Sequence, residues 1–337
     1  MTMRRWRLLW ALLACALASL APPPARADDA FFEGKPLTYR VGAKTGGGYD
    51  TYARLVARHL PKHLPVARVL VHNVPGAGSA RCLNQLWKTP ADGLTIATFN
   101  TGMMYAQIAG LDGVRFDLTR LSWIGKAGGE PRVFIVGAQT PFTDAAALRN
   151  AQEPVLLATT GIGSTSYTEA SLIAEILPFP AKLVTGYSGA GKQLAMQRGE
   201  MHGHFGSFSS LRGFIESGGA RILFHVAGTD ALDPSVPSLG DVARGPNPGP
   251  VIDLLTANAE LGRMTAGPPG MPADRLATLR RAYAATLVDP ELLAEAAKLR
   301  LPIQPMGGEE LTRRVRDAME LEPSMVQRIT RLIASGG

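Results

Sequence analysis

The chain has 337 residues, 46% hydrophobic and 19% charged, with a formal charge of +7. That length supports a sizeable core and argues for two lobes rather than one. Two cysteines, Cys15 and Cys82, exclude a disulfide scaffold, and no run of Lys and Arg marks a nucleic-acid footprint.

Residues 1–27 read as an export signal. Arg4, Arg5 and Arg7 form a basic start, an apolar run extends from Leu8 to Leu20, and Ala25-Arg26-Ala27 offers a small-residue cleavage site. The apolar run is short for a bilayer span, so the expectation is a soluble, periplasmic mature chain. A retained membrane anchor and lipid attachment at Cys15, within Leu12-Leu13-Ala14-Cys15, are the alternatives. Four arginines leave with the signal, which lowers the formal charge from +7 to +3. Cys82 then has no pairing partner, and its Ala-Arg-Cys-Leu context reads as a buried small hydrophobe.

Along the mature chain, short apolar runs alternate with helical patterns. Strands are expected at 37–43, 67–74 and 94–100, with helices following the glycine turn 46–48 and over 78–88. A second block begins at 132–138 and continues through strands at 154–160, 181–187, 201–207 and 220–228, with helices from Ser164 and over 190–198. A Pro/Gly-rich stretch, 233–250, interrupts the pattern, and the tail returns to a strand and two helices. This alternation predicts an α/β protein whose parallel sheets carry helices on both faces. The expected division is lobe I from 28–130 plus 250–337 and lobe II from 131–249, with a ligand cleft between them. In such sheets ligands sit at the carboxyl ends of strands, against helix N-termini.

Four loops are built for that position. Lys44-Thr45-Gly46-Gly47-Gly48-Tyr49-Asp50 combines three glycines with a helix start, where backbone amides can approach an anion; Asp50 reads equally as a helix cap or a ligand acceptor. Gly161 to Ser166 supplies hydroxyls from Ser164, Thr165 and Ser166, with Ser164 or Thr165 also readable as an N-cap. The strand ends at Asn100-Thr101 and at 204–210 are similar. Lys and Arg are scarce in all four, a composition that suits a small carboxylate held by amides and hydroxyls rather than by an ion-pair clamp.

The order of these motifs resembles the extracytoplasmic solute-binding receptors of tripartite tricarboxylate transporters, the Bug receptors, from about Lys35 to the C-terminal helix. The resemblance is carried by Gly46-Gly47-Gly48-Tyr49-Asp50, by Asn73-Val74-Pro75-Gly76-Ala77-Gly78, and by Asp92-Gly93-Leu94-Thr95. It continues through Gly161 to Ser166, Ser235 to Val242, Ala266 to Leu276 and Asp289-Pro290. It implies a two-lobe periplasmic binding protein of type II-like fold, a monomer without metal or cofactor. Such a receptor closes on a small organic acid and hands it to membrane permease subunits. By position, the ligand contacts it implies fall on Thr45, Gly46, Gly47, Gly48 and Asp50, on Asn100 and Thr101, on Gly163, Ser164, Thr165 and Ser166, and on Tyr187 and Ser207. The chain departs from the family pattern in the first loop, with Gly42-Ala43 for an aromatic and a proline. It departs again after Phe205, with Gly206-Ser207 where Asp-Asn is common, which leaves the identity of the acid open. A sensor that presents its ligand to a membrane kinase would carry the same motifs.

Enzyme readings are weaker. Gly186-Tyr187-Ser188-Gly189-Ala190 fails the last position of a hydrolase elbow. His59 and His63 lack the metalloprotease glutamate and have Pro61 between them. His202 and His204 are expected to share one strand face as a structural pair. Gly186 to Gln193 nearly spells a phosphate-binding loop, but Gln193 stands where a hydroxyl is needed. Lys192 is therefore expected in the first turn of a helix, facing solvent or the cleft rim.

Overall fold

The computed structural model describes residues 29–334 apart from 130, 188 and 228–231; the expected export signal and Cys15 lie outside the described residues. Its strands are β1 (Pro36–Val41), β2 (Arg68–Asn73), β3 (Thr95–Thr98), β4 (Ser122–Lys126), β5 (Arg132–Gly137), β6 (Val155–Ala158), β7 (Ala181–Val184), β8 (Gly203–Ser207), β9 (Ala220–Val226), β10 (Met264–Gly267) and β11 (Met306–Gly307). Apart from short helical turns, the helices are α1 (Gly48–His59), α2 (Ala80–Trp87), α3 (Met103–Ile108), α4 (Thr165–Ile176), α5 (Ala190–Gln197), α6 (Phe208–Glu216), α7 (Gly249–Glu260), α8 (Ala273–Leu287), α9 (Pro290–Lys298), α10 (Gly308–Met319) and α11 (Pro323–Ala334). None of them is long and apolar enough to cross a membrane.

Two sheets form, in the orders β11-β4-β10-β3-β1-β2 and β7-β6-β8-β5-β9. Parallel pairing holds where strand and helix alternate without interruption, at β2-β1-β3 and at β7-β6-β8. Elsewhere the sheets are mixed. β10 arrives from the tail and inserts antiparallel between β3 and β4, and β5 pairs antiparallel with both β8 and β9. Beyond the expected elements the chain forms β4, α3, α6, α7, β11, α10 and α11. β4, Ser-Trp-Ile-Gly-Lys, is buried along its whole length, so it shows no alternation from which to read a strand.

The chain crosses between the sheets twice, from β4 to β5 and from β9 back to β10. The returning segment carries α7, whose Val251, Leu254 and Leu255 pack into the second-lobe core with Phe134, Phe205 and Phe224. Met325, Ile329 and Ile333 of α11 recur at four-residue spacing, form one apolar face, and join the same core. The segment 250–337 thus contributes to both cores: β10 and α8 build the first, while α7 and α11 cover the second. Cys82 is buried in the first lobe, where desolvation pushes its thiol up to about 12, the behaviour of a packing residue.

The insertion of β10 is fixed by a buried hydroxyl chain. Thr265 Oγ1 lies 2.5 Å from Tyr39 Oη on β1 and 2.9 Å from Tyr283 Oη on α8. Burial pushes the Tyr283 phenol up to about 12, so it remains a neutral hydrogen-bonding group at neutral pH. Thr265→Val keeps the shape and removes the shared partner of both phenols. We expect it to cost about 1–3 kcal/mol, read as a lower urea midpoint at unchanged slope.

Candidate functional site

The first-lobe loop is locked from within. Asp50 is buried, and its carboxylate accepts from Gly46 N at 2.9 Å, Arg54 Nε at 3.0 Å and Asn73 Nδ2 at 2.9 Å. Burial works to raise this carboxyl, but the hydrogen bonds from Arg54, Gly46 and Asn73 bring it below the usual carboxylate range. Thr45 Oγ1 donates to Asn73 Oδ1 at 3.3 Å, and Asn73 Nδ2 reaches Ala43 O at 2.9 Å. Asn73 is therefore the hub that holds the glycine loop against β2, and Asp50 faces protein donors instead of the cleft.

What the loop presents outward is its backbone. Gly47 caps α1 without any side-chain cap, so the amides of the first turn keep hydrogen-bonding capacity for an anion. Gly48 lies against the opposite lobe. A Cβ there would sit 2.6 Å from Ser210 Oγ on α6 and 2.7 Å from Arg263 Nη2. The Arg263 guanidinium stacks over the rings of Tyr49 and Tyr52, at 4.8 and 5.0 Å from their centroids, which places a cation beside the α1 terminus.

Directly alongside, two predicted loops from opposite lobes meet. Gly102 N donates to Thr165 Oγ1 at 2.7 Å, and Thr165 N donates to Asn100 Oδ1 at 3.2 Å. The Thr165 hydroxyl also bonds Asn100 Oδ1. The approach is so close that a Cβ on Gly102 would stand 2.1 Å from Thr165 N, which only glycine permits. Thr101 N donates to Tyr49 Oη at 3.2 Å and so links this contact to the first loop. Ser79, which the motif reading passed over, supports it from below: its hydroxyl donates to Gly42 O at 2.7 Å and accepts from Asn100 N at 3.0 Å. Ser164 caps α4, accepting from Tyr167 N and donating to Gly161 O at 2.6 Å, while Ser166 Oγ accepts from Thr160 N at 3.0 Å. Gly163 packs against Leu111 of the first lobe. In this arrangement these hydroxyls bond to protein.

The second-lobe wall differs most from expectation. Ser207 precedes α6 without capping it by its side chain, so a second helix N-terminus opens beside the first. Arg132 Nη1 lies 3.5 Å from Ser207 Oγ, and its guanidinium covers the Phe205 ring at 4.9 Å. The other face of Arg132 pairs with Glu169 at 2.5 Å. Glu169 is fully buried and also accepts from Asn258 Nδ2 at 2.6 Å and Tyr105 Oη at 3.4 Å. Burial raises the Glu169 carboxyl, and Arg132, Asn258 and Tyr105 act against that shift. Lys192 does sit in the first turn of α5 and is only 7% exposed, which rules out the solvent-facing one of its two expected positions. Tyr187 is half-buried and packs beside the cluster of Val133, Ile135 and Met196. His202 and His204 go to different partners. His202 Nδ1 accepts from Leu156 N, and His204 Nδ1 meets Ala158 O at 3.1 Å.

Two cations stand beside the neutral loops, Arg132 at Ser207 and Arg263 at Gly48, and neither lies in a glycine-rich motif. A cavity of about 910 Å³ lies elsewhere, between α7, α10 and α11, and its lining includes Glu175, Asp253, Glu260, Asp317 and Glu322. Its lining also carries Arg314, Arg328 and Arg331, and Arg328 and Arg331 pair with Glu175, whereas the cleft gathers backbone amides at two helix starts without side-chain caps. Among the described residues no group of three or more His, Cys, Asp or Glu is placed to hold a metal ion. Removing Glu169 tests how the wall is held. Glu169→Ala strands a buried guanidinium and is expected to cost about 3–5 kcal/mol in chemical denaturation.

No family model matches the chain. A UPF0065 protein from the tcbD-tcbE intergenic region of Pseudomonas sp. strain P51 is 26% identical over 85% of this chain and 88% of its own length. Among solved structures, the periplasmic binding protein BugD matches with a TM-score of 0.73 at 19% identity, covering 88% of this chain and 97% of BugD. MatC (Rpa3494) from Rhodopseudomonas palustris with bound malate matches at 0.70 and 19% identity, over 89% of this chain and 99% of its own. R. palustris Rpa4515 with adipate matches at 0.73 and 19% identity, over 89% and 97%. The chain therefore has the two-lobe fold of the Bug-type periplasmic binding proteins and, over most of its length, is similar in sequence to a UPF0065 protein.

Proposed function

We propose that this protein is a periplasmic solute-binding receptor of the Bug family. It captures a small organic carboxylate between its lobes and delivers it to the permease subunits of a tripartite tricarboxylate-type transporter, acting as a monomer and without catalysis. The observation that carries this reading is the meeting of Asn100–Gly102 with Thr165 across the lobes, beside two helix N-termini without side-chain caps. The relatives in fold that hold malate and adipate support the carboxylate class.

In this reading the amides at Gly47 and Gly48, the Asn100-Thr101 strand end and Ser207 receive the acid. Thr45, Gly46 and Asp50 hold the first loop in shape, and Gly163, Ser164, Thr165 and Ser166 form the edge of the second lobe that closes on it. Tyr187 borders the same wall. Closure shifts a two-state equilibrium, and the ligand favours the closed form through contacts to both lobes at once.

Thermal-shift titration with malate and adipate tests the reading. Saturation at 100 times the Kd adds about 2.7 kcal/mol of stability, so a melting temperature that no carboxylate raises would overturn it. X-ray scattering should show a smaller envelope with ligand than without. Thr165→Val removes the oxygen that Gly102 N and Asn100 share across the lobes. It should weaken carboxylate binding roughly tenfold, about 1.4 kcal/mol, with native secondary structure by circular dichroism; unchanged affinity would remove the interlobe contact from the mechanism.

A further inference from the structure

We infer that the cavity between α7, α10 and α11 is a second ligand site, separate from the cleft, which takes an organic cation with an apolar body, an alkylammonium ion being the simplest case.

The cavity lies where the tail passes from one lobe to the other. Leu311 and Val315 of α10 pack into the first-lobe core, whereas Met325, Ile329 and Ile333 of α11 pack into the second. Only residues 320–322 separate the two helices in the chain, yet they seat on different cores and leave a space between them. α7 forms its remaining wall. Pro250, Asp253, Ala257 and Glu260 recur at helical spacing on the face of α7 that lines the cavity. Val251 and Leu255 belong to the second-lobe core instead, and Asn258 turns to Glu169. The helix thus stands between the cavity and the buried Arg132–Glu169 pair.

The lining has two parts, and together they define the occupant. A volume of about 910 Å³ is ample for a small organic molecule, whose pockets run from roughly 300 to 1,000 Å³. Leu254, Leu261, Met306, Leu321 and Met325 give it apolar surface from both lobes. The charged lining is unbalanced. Arg328 and Arg331 both pair with Glu175, and Arg314 lies 4.0 Å from Glu260. Asp253, Asp317 and Glu322 have no ion-pair partner among the described residues. Five carboxylates against three guanidinium groups leave a surplus of two negative charges, on a chain whose formal charge is +7. Among the described residues no three of these acids are grouped to hold a metal ion, so the surplus suits a cation that brings its own apolar surface. An ammonium head offers three donors to spaced carboxylates, and an alkyl chain buries itself against the leucine and methionine side chains.

Calorimetry with hexylammonium chloride on the full mature protein tests the site, with hexan-1-ol as the tail without charge and methylammonium as the charge without tail. Two variants act on the two parts of the lining. Asp253→Asn/Asp317→Asn removes exposed acids that hold no ion pair, so its melting temperature should match the wild type. Ala257→Phe places a ring in the cavity. The expected result is saturable hexylammonium binding at one site, with hexan-1-ol and methylammonium at least tenfold weaker. The double variant should weaken hexylammonium tenfold or more, and Ala257→Phe should abolish its binding. No saturable hexylammonium binding, equal affinity for hexan-1-ol, or an affinity that the double variant leaves within twofold of the wild type would overturn the site. The receptor reading stands or falls separately, on carboxylate binding in the cleft.

Discussion

One buried charge organises the space between the lobes. Arg132 begins the first strand after the crossing from lobe I, and its guanidinium meets Glu169, which is wholly enclosed. Asn258 on the returning helix and Tyr105 on a first-lobe helix complete the shell around that carboxylate. Four separate segments, including both crossings, are thereby tied to a single acid. A buried ion pair contributes little by itself because desolvation offsets most of its Coulombic gain. Its value lies in direction: each partner left alone would be costly, so the crossings hold one geometry.

The cleft follows from that geometry. The glycine loop after β1 and the strand end after β3 face the loop before α4 and the start of α6, and the lobes touch through Asn100, Gly102 and Thr165. Around this buried polar contact the packing is apolar as well: Tyr105 of α3 joins the second-lobe core, and Leu111 lies against Gly163.

Much of the architecture was legible in the residues. Strand and helix alternate with apolar runs of the right length, and the glycine and hydroxyl clusters fall where strands hand over to helices. The fully buried strand β4 was not, because burial on both faces erases the alternation that marks a strand. Nor was the insertion of β10, since antiparallel entry of a tail segment leaves no local signature. The candidate site divides the same way. Asp50 and Ser164 each admitted a capping role and a ligand role, and spacing could not choose between them. In the fold their oxygens are taken by Gly46, Arg54 and Asn73, and by Gly161 and Tyr167.

The sequence by itself determined a two-lobe α/β chain with anion-receptive loops at the helix starts, because turn chemistry and hydrophobic period are local properties. Only the tertiary structure decided which cations stand beside those loops. Arg132 lies in a strand and Arg263 in a turn, and nothing in their neighbours along the chain predicts that one reaches Ser207 and the other Gly48. Those placements depend on the two crossings and on the mixed order of the sheets. Their electrostatic meaning depends on burial, and burial is a property of the packed chain.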